Sequence, residues 1–307
     1  MKHAMRRTGA ALLIALLVAP VGARGGSVVL KKAWVEKYKN RATIEVKFTI
    51  DHAHKKPNSV KDDGDDGDLH MSGRAPKAGL PMVAEIVNAR QQAAALSFVQ
   101  AKAGKEEQVH MAGVWRLWFE HPSSKEQKQF EDVTKPDDTN PKHVFEIHPV
   151  TEIGTNKILT SFVPIVGFTA YNAQTAFPYY ENLPATVQSN GSAVTLISPQ
   201  SRYNYAEFVI KLTGPPQDRG DCYTVLATIR DVEGTVVVKT SRRMVFVKGT
   251  KAANAVKDLK KGDRMHVLGI PRVNLEAVAV LAQTAGPNGK KTKLPYEMII
   301  VGHFPEE

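Results

Sequence analysis

The sequence predicts a mainly β protein: two OB-like Greek-key barrels in tandem, each with one short helix. Three observations carry this. Apolar and polar residues alternate in run after run along the 307 residues. A unit of strands interrupted by a single helix-prone stretch occurs twice. Each copy also places a glycine inside the strand that follows the helix, at Gly113 and Gly269.

Taken in order, Ala42-Thr43-Ile44-Glu45-Val46-Lys47-Phe48-Thr49-Ile50 alternates as a half-buried strand does and is rich in β-branched and aromatic residues. Similar runs cover 81–87, 109–119, 143–153, 192–198, 205–213, 222–230, 234–240, 243–248, 264–270 and 296–304. Helical pattern is scarce, and clearest over Arg90–Ala103, rich in Ala and Gln, and Lys251–Leu259.

The two halves align. Val109-His110-Met111-Ala112-Gly113-Val114-Trp115-Arg116-Leu117 matches Met265-His266-Val267-Leu268-Gly269-Ile270-Pro271-Arg272-Val273 in character at each position. A helix-prone stretch and a charged turn precede each copy, and a β run opening Met-Val (Met82-Val83, Met244-Val245) precedes those. An aromatic-Glu strand follows, Phe145-Glu146-Ile147-His148 in one half and Tyr296-Glu297-Met298-Ile299 in the other. Matching order marks a duplicated unit, and three strands, a helix and two strands is the OB order. A mid-strand glycine suits the bend or bulge at a barrel corner.

The expected organisation is a signal peptide over 1–23, a first barrel over 25–154, a Pro- and aromatic-rich connector over 155–189 and a second barrel over 190–307. Lys2, His3, Arg6 and Arg7 form a positive start, Gly9–Pro20 is a short apolar run, and Val21-Gly22-Ala23 offers a small-residue cleavage site. About a dozen apolar residues fall short of the roughly 20 that cross a bilayer, so cleavage near Ala23 leaves no transmembrane segment. Export to the periplasm or beyond is the implied location. The single cysteine, Cys222, excludes an internal disulfide. Without Lys2, Arg6 and Arg7 the chain holds 38 basic against 31 acidic residues, and a net +10 becomes +7. This diffuse excess is compatible with polyanionic or glycan partners, while nothing marks specific nucleic-acid binding.

Chemistry concentrates in the first half. Seven of the ten histidines lie between His52 and His148, beside the acidic run Asp62–Asp68. Asp68, His70 and Ser72 share one strand face, and Glu146 and His148 another. If those strands meet, Asp68, His70, Glu85 and His148 converge as two imidazoles and two carboxylates, a donor set for zinc or another divalent metal. His52 and His54 are additional candidate ligands. Pro149 suggests a strand end, where His148 would cap backbone groups instead. Arg116 and Trp118 share a face with Glu120; pointing to solvent, they would contact a sugar or a base.

Asp66-Gly67-Asp68-Leu69-His70, Met82-Val83-Ala84-Glu85-Ile86, Gly113-Val114 and Glu146-Ile147-His148-Pro149-Val150 together resemble a set of uncharacterised exported bacterial proteins. In that set a D-G-D-x-H strand leads to an A-E-I strand and closes on an E-(I/L)-H-P-V strand. The resemblance covers about 90 residues and implies a secreted OB-like domain with no established activity. This chain departs from it in the long insert Pro122–Lys142.

Several functions are excluded by what is missing. There is no G-x-S-x-G, P-loop, dinucleotide fingerprint or H-E-x-x-H. The aspartate run lacks EF-hand spacing, and the D-x-P-E element of staphylococcal-type nucleases is absent. Two readings remain. One is an exported binding protein for a cell-envelope polymer or an exported partner; the other is a metal-dependent hydrolase of phosphoesters or glycans with its site in the first barrel. In the second half, the counterpart of Asp66–Ser72 is expected near Gly234–Thr240, without acids or histidines.

Overall fold

The computed structural model describes residues 25–60, 66–131, 133–159, 165 and 167–304. The expected signal segment, and Asp62, Asp63 and Asp65 of the acidic run, lie outside these residues.

The described residues open with β1 (Gly25–Lys31) and α1 (Lys32–Tyr38). The chain then builds β2 (Thr43–Ala53), β3 (Leu69–Arg74), β4 (Met82–Ile86), α2 (Ala93–Lys102), β5 (Gln108–His121), the short β6 (Gln127–Lys128) and β7 (His143–Ile153). Strand alternation is plain in β2, where Ile44, Val46, Phe48 and Ile50 are buried while Glu45 and Lys47 are exposed. β2 pairs antiparallel with β3 and β5, β3 with β4, and β5 with β7. A parallel pairing of β4 with β7 closes the ring, which is the OB order.

After β8 (Asn156–Lys157), β9 (Tyr171–Asn172), α3 (Ala173–Asn182), β10 (Pro184–Asn190) and β11 (Ala193–Pro199), the plan repeats. The second ring uses β12 (Ala206–Leu212), β14 (Cys222–Arg230), β15 (Val236–Val247), β16 (Arg264–Val273) and β18 (Tyr296–Phe304). Its pairings are those of the first ring, strand for strand, with β15–β18 as the parallel closure. The remaining elements are β13 (Gln217–Asp218), α4 (Lys251–Val256), α5 (Leu275–Thr284) and β17 (Lys290–Lys293). In each ring the helix between the third and fourth strands (α2, α4) is the one that the repeat predicts. No helix of the described residues is long and apolar enough to cross a membrane.

Both mid-strand glycines sit at register shifts. In β5 the shift brackets Gly113, which pairs with Val150 while Trp115 pairs with Ile147. Val114 therefore faces two residues, His148 and Pro149, one of them extra, so Pro149 does not end β7. The bulge absorbs a residue that has no N–H to give the ladder, and β7 continues to Ile153. A Cβ on Gly113 would lie 2.3 Å from Ile147 Cγ2 and 2.7 Å from the Pro149 carbonyl oxygen, so only glycine fits there.

Three features depart from expectation. The runs 234–240 and 243–248 are one strand, β15, because the half-buried Ser241 and Arg242 interrupt the pattern without breaking the strand. β15 is the third strand of its ring, so the counterpart of β3 is β14 rather than Gly234–Thr240. With Met244 aligned on Met82, Cys222 opposite Val247 replaces His70 opposite Glu85. Finally, a third sheet of order β17-β10-β11-β1-β6 joins β1 to the middle of the chain, Gly25 opposite Pro199 and Lys31 opposite Ala193. Pairing over that separation leaves no local sequence signal.

The two barrels meet along β5 and β16. Ala42, Val114, Tyr205, Cys222, Val247, Leu268, Ile270 and Ile299 are buried there in one apolar cluster.

Candidate metal centre

The ring order places the candidate residues before any side-chain detail is considered. His70 on β3 pairs with Glu85 on β4. In the parallel pairing of β4 with β7, Val83 is level with Glu146. Two residues further along each strand, on the same faces, lie Glu85 and His148. Three adjacent strands thus bring His70, Glu85 and His148 into a row, with Asp68 at the entry to β3 and Glu146 behind.

Asp68, His70, Glu85 and His148 lie in one network but do not converge on one point: His148 falls in a different set from Asp68 and His70. His70 Nε2 contacts Asp68 Oδ2 and lies 3.4 Å from Glu85 Oε1. His148 Nδ1 lies 2.8 Å from Glu85 Oε2 and 3.6 Å from Glu146 Oε2. Two ligand sets result, Asp68–His70–Glu85 and Glu85–Glu146–His148, the donor atoms of each within 4.8 Å of one another. Each is a carboxylate-rich set with one imidazole, capable of coordinating a divalent cation such as zinc or manganese.

Residues beyond the four complete the surroundings. His148 Nε2 is 2.9 Å from Tyr205 Oη, and the Tyr205 hydroxyl donates to Asp66 Oδ2. The hydroxyl oxygen is thus left to accept from Nε2–H, which assigns the proton to Nε2 in the neutral ring. His148 Nδ1 makes no directed hydrogen bond although the residue is 2 % exposed. A metal-ligating histidine is held in this way, its far nitrogen tied to a polar partner. Glu146 is held by Arg116 Nη1 at 2.6 Å and by His143 Nε2 at 3.1 Å. Asn58 Nδ2 donates to Asp68 Oδ1 at 2.8 Å.

Burial and charge act against each other throughout. Burial opposes protonation of His70, but the carboxylates of Glu85 and Asp68 outweigh it and hold the imidazole up to about 10. Burial would raise Glu85, yet the neighbouring His148 and His70 bring it down to about 2. His148 is driven well above the ordinary imidazole value, against burial, by Glu85 and Asp66. Glu146 lies well below the usual carboxylate range because Arg116 and His143 overcome its burial. Asp66 is raised, chiefly by burial. Without a metal the site is a network of ion pairs, and a cation must displace imidazole protons to enter.

A cavity of about 320 Å³ opens beside this network at the junction of the barrels. Asp66, Asp68, His70, Glu85 and His148 form one wall, and Tyr171, Tyr203, Asn204 and Tyr205 face them. The second half of the chain therefore completes a site whose acids and imidazoles come from the first.

Arg116 and Trp118 do not form the expected solvent-facing contact. Both are buried, at 0 % and 1 % exposure. The face of β5 that carries them is covered by the second half: Arg116 donates to Asn204 Oδ1 at 2.6 Å and to the Pro271 carbonyl at 3.0 Å. Trp118 packs edge-on against Tyr180 at 5.9 Å. His52 Nε2 is 3.1 Å from the Pro136 carbonyl of the insert, and His54 stacks on His70 at 5.0 Å; neither belongs to a ligand set. Sequence reasoning missed Tyr205, which meets His148 only through the tertiary fold. It also undervalued Asp66 and Glu146, whose motifs were in view.

The second barrel keeps the ion pair and loses the rest. Arg272 Nε donates to Glu297 Oε1 at 2.7 Å, the counterpart of Arg116 with Glu146. Cys222, Val245, Val247, Ile299 and Val301 fill the neighbouring positions of β14, β15 and β18, with no acid or imidazole among them.

No family model matches the sequence, and no curated protein matches it either. Among solved structures, it is similar to a murine DNA-binding protein bound with double-stranded DNA, at 10% identity over 84% of this chain and 92% of that one, TM-score 0.19. It is also similar to the single-stranded DNA-binding protein of Thermus aquaticus, at 10% identity over 87% of this chain and 92% of that one, TM-score 0.22. Likeness at these TM-scores supports no common ligand; the barrel assignment rests on the strand pairings.

Proposed function

We propose that this protein is a metal-dependent hydrolase whose centre lies in the first barrel and whose substrate, a phosphoester or a glycan, enters the cavity between the barrels. One observation carries the reading: buried Asp, Glu and His donors from three adjacent strands converge on the wall of a cavity. Asp68, His70 and Glu85 would hold a divalent cation there, and that cation would supply Lewis acidity. Arg116 and His143 hold Glu146 in place, and Tyr205 with Asp66 holds His148, so the donors are pre-positioned.

The burial of Arg116 and Trp118 removes the exposed contact that a simple binding module would have used. Export, with cleavage near Ala23, is part of the same proposal; mass determination of the mature N-terminus tests it.

The function is tested by elemental analysis of untagged protein followed by substrate screening with and without chelator. About one equivalent or more of zinc or another divalent metal, with hydrolysis lost in chelator and restored by metal, is the expected result. Metal-free protein that binds no added metal and hydrolyses nothing refutes it.

A further inference from the structure

Glu85 belongs to both ligand sets, and its two oxygens are divided between them. Oε1 faces His70 Nε2 at 3.4 Å and Oε2 faces His148 Nδ1 at 2.8 Å. One carboxylate with its oxygens turned to two different imidazoles, each accompanied by a further carboxylate (Asp68 on one side, Glu146 on the other), has the form of a bridging ligand. Resting on the reading of this site as a metal centre, we infer that it is binuclear: two divalent cations bridged by Glu85, one held by Asp68 and His70 and the other by Glu146 and His148.

Two observations support two cations over one. First, His148 Nδ1 is buried, lacks a directed hydrogen bond and points between Glu85 and Glu146. In a centre confined to Asp68, His70 and Glu85 it would only orient Glu85 and bind no cation itself. Second, Tyr205 fixes the far nitrogen of the same ring at 2.9 Å, the arrangement that orients a metal-bound imidazole.

Cations sharing a carboxylate lie about 3.5–4 Å apart in two-metal hydrolytic sites, a spacing that one Glu side chain can span.

The test uses Mn²⁺ as probe on the whole protein after chelator treatment and dialysis. The expected result is two equivalents bound per chain, with the electron paramagnetic resonance spectrum of an exchange-coupled pair. One equivalent with an uncoupled spectrum overturns the pair and leaves the mononuclear hydrolase standing. No binding overturns both and leaves a sealed ion-pair network. Two equivalents without coupling overturn the shared carboxylate. Asp68→Asn is expected to keep one ion and lose the coupling; retention of a coupled pair in that variant also overturns the assignment. Circular dichroism checks that the variant folds, and the measurement on the unaltered chain decides the matter independently of it.

Discussion

Arg116 and Arg272 occupy equivalent positions in the two barrels, and each reaches into the other barrel at the equivalent place. Arg116 Nε donates to the Pro271 carbonyl at 3.0 Å, and Arg272 Nη1 donates to the Trp115 carbonyl at 3.0 Å. Pro271 and Trp115 immediately precede the two arginines, so the junction is a pseudo-two-fold contact of the duplicated unit with itself. Each arginine also pairs with the glutamate of its own closing strand, Glu146 or Glu297. Arg272 stacks in addition over the Trp115 ring, 3.6 Å from its centre.

Removing either arginine takes one of two partners from a buried carboxylate, leaving Glu146 to His143 and Glu297 to Arg243. Arg116→Ala and Arg272→Ala are each expected to destabilise the fold, by less than the about 3–5 kcal/mol that a buried pair broken from one side costs when no second partner remains. Because the two share an interface, the double variant should cost less than the sum, by about 0.5–3 kcal/mol. Urea denaturation of the four proteins measures this. Strict additivity would show that the junction does not act as one unit.

The glycines at the bulges give a second, asymmetric expectation. A Cβ on Gly113 meets Ile147 at 2.3 Å and the Pro149 carbonyl oxygen at 2.7 Å, whereas one on Gly269 finds nothing nearer than Phe208 at 3.1 Å. Gly113→Ala should cost about 1–3 kcal/mol through overpacking, and Gly269→Ala distinctly less. Thermal melts of the two variants order them, and the reverse order would contradict the bulge account.

These positions also show what the sequence could and could not reveal. The barrels were legible because alternation, the helix in fourth place and the bulge glycines are local signals, repeated twice. Asp68, His70, Glu85 and His148 were legible because strand neighbours can be inferred from ring order. The third sheet was not, since β1 pairs with β11 across the whole of the first ring. Nor was the fate of Arg116 and Trp118. Alternation says which residues share a face, but it cannot say that a second barrel covers the face turned away from the first barrel's interior. Tyr205 was hidden for the same reason, its partners being 57 and 139 positions away.

Tyr205→Phe isolates that long-range contribution. It removes only the hydroxyl between His148 and Asp66 and keeps the buried ring. Loss of such an orienting partner typically weakens metal affinity about 10–100-fold, and competition with a chromophoric chelator should show a fall of that order. Unchanged affinity, with the fold intact, would remove Tyr205 and His148 from the metal-binding account.

The metal-free and metal-loaded proteins should respond to pH in opposite senses. In the metal-free chain His70 is held at about 10 against an ordinary 6.5. Its contribution to stability is complete below 6.5 and is lost as pH rises through 10. Glu85 is held at about 2 against 4.5, so its contribution is present above 4.5 and is lost as pH falls towards 2. In chelator, the melting temperature should therefore be highest between about pH 4.5 and 6.5 and decline on either side. With metal present, the His70 proton is what the cation displaces, so binding strengthens as pH rises and the melting temperature should climb above 6.5 instead. Melts in chelator and in zinc from pH 4 to 9 test both arms. A chelator profile that stays flat above 6.5 would mean that His70 is not held protonated by Glu85 and Asp68. Parallel profiles in chelator and zinc would mean that no metal competes for that proton.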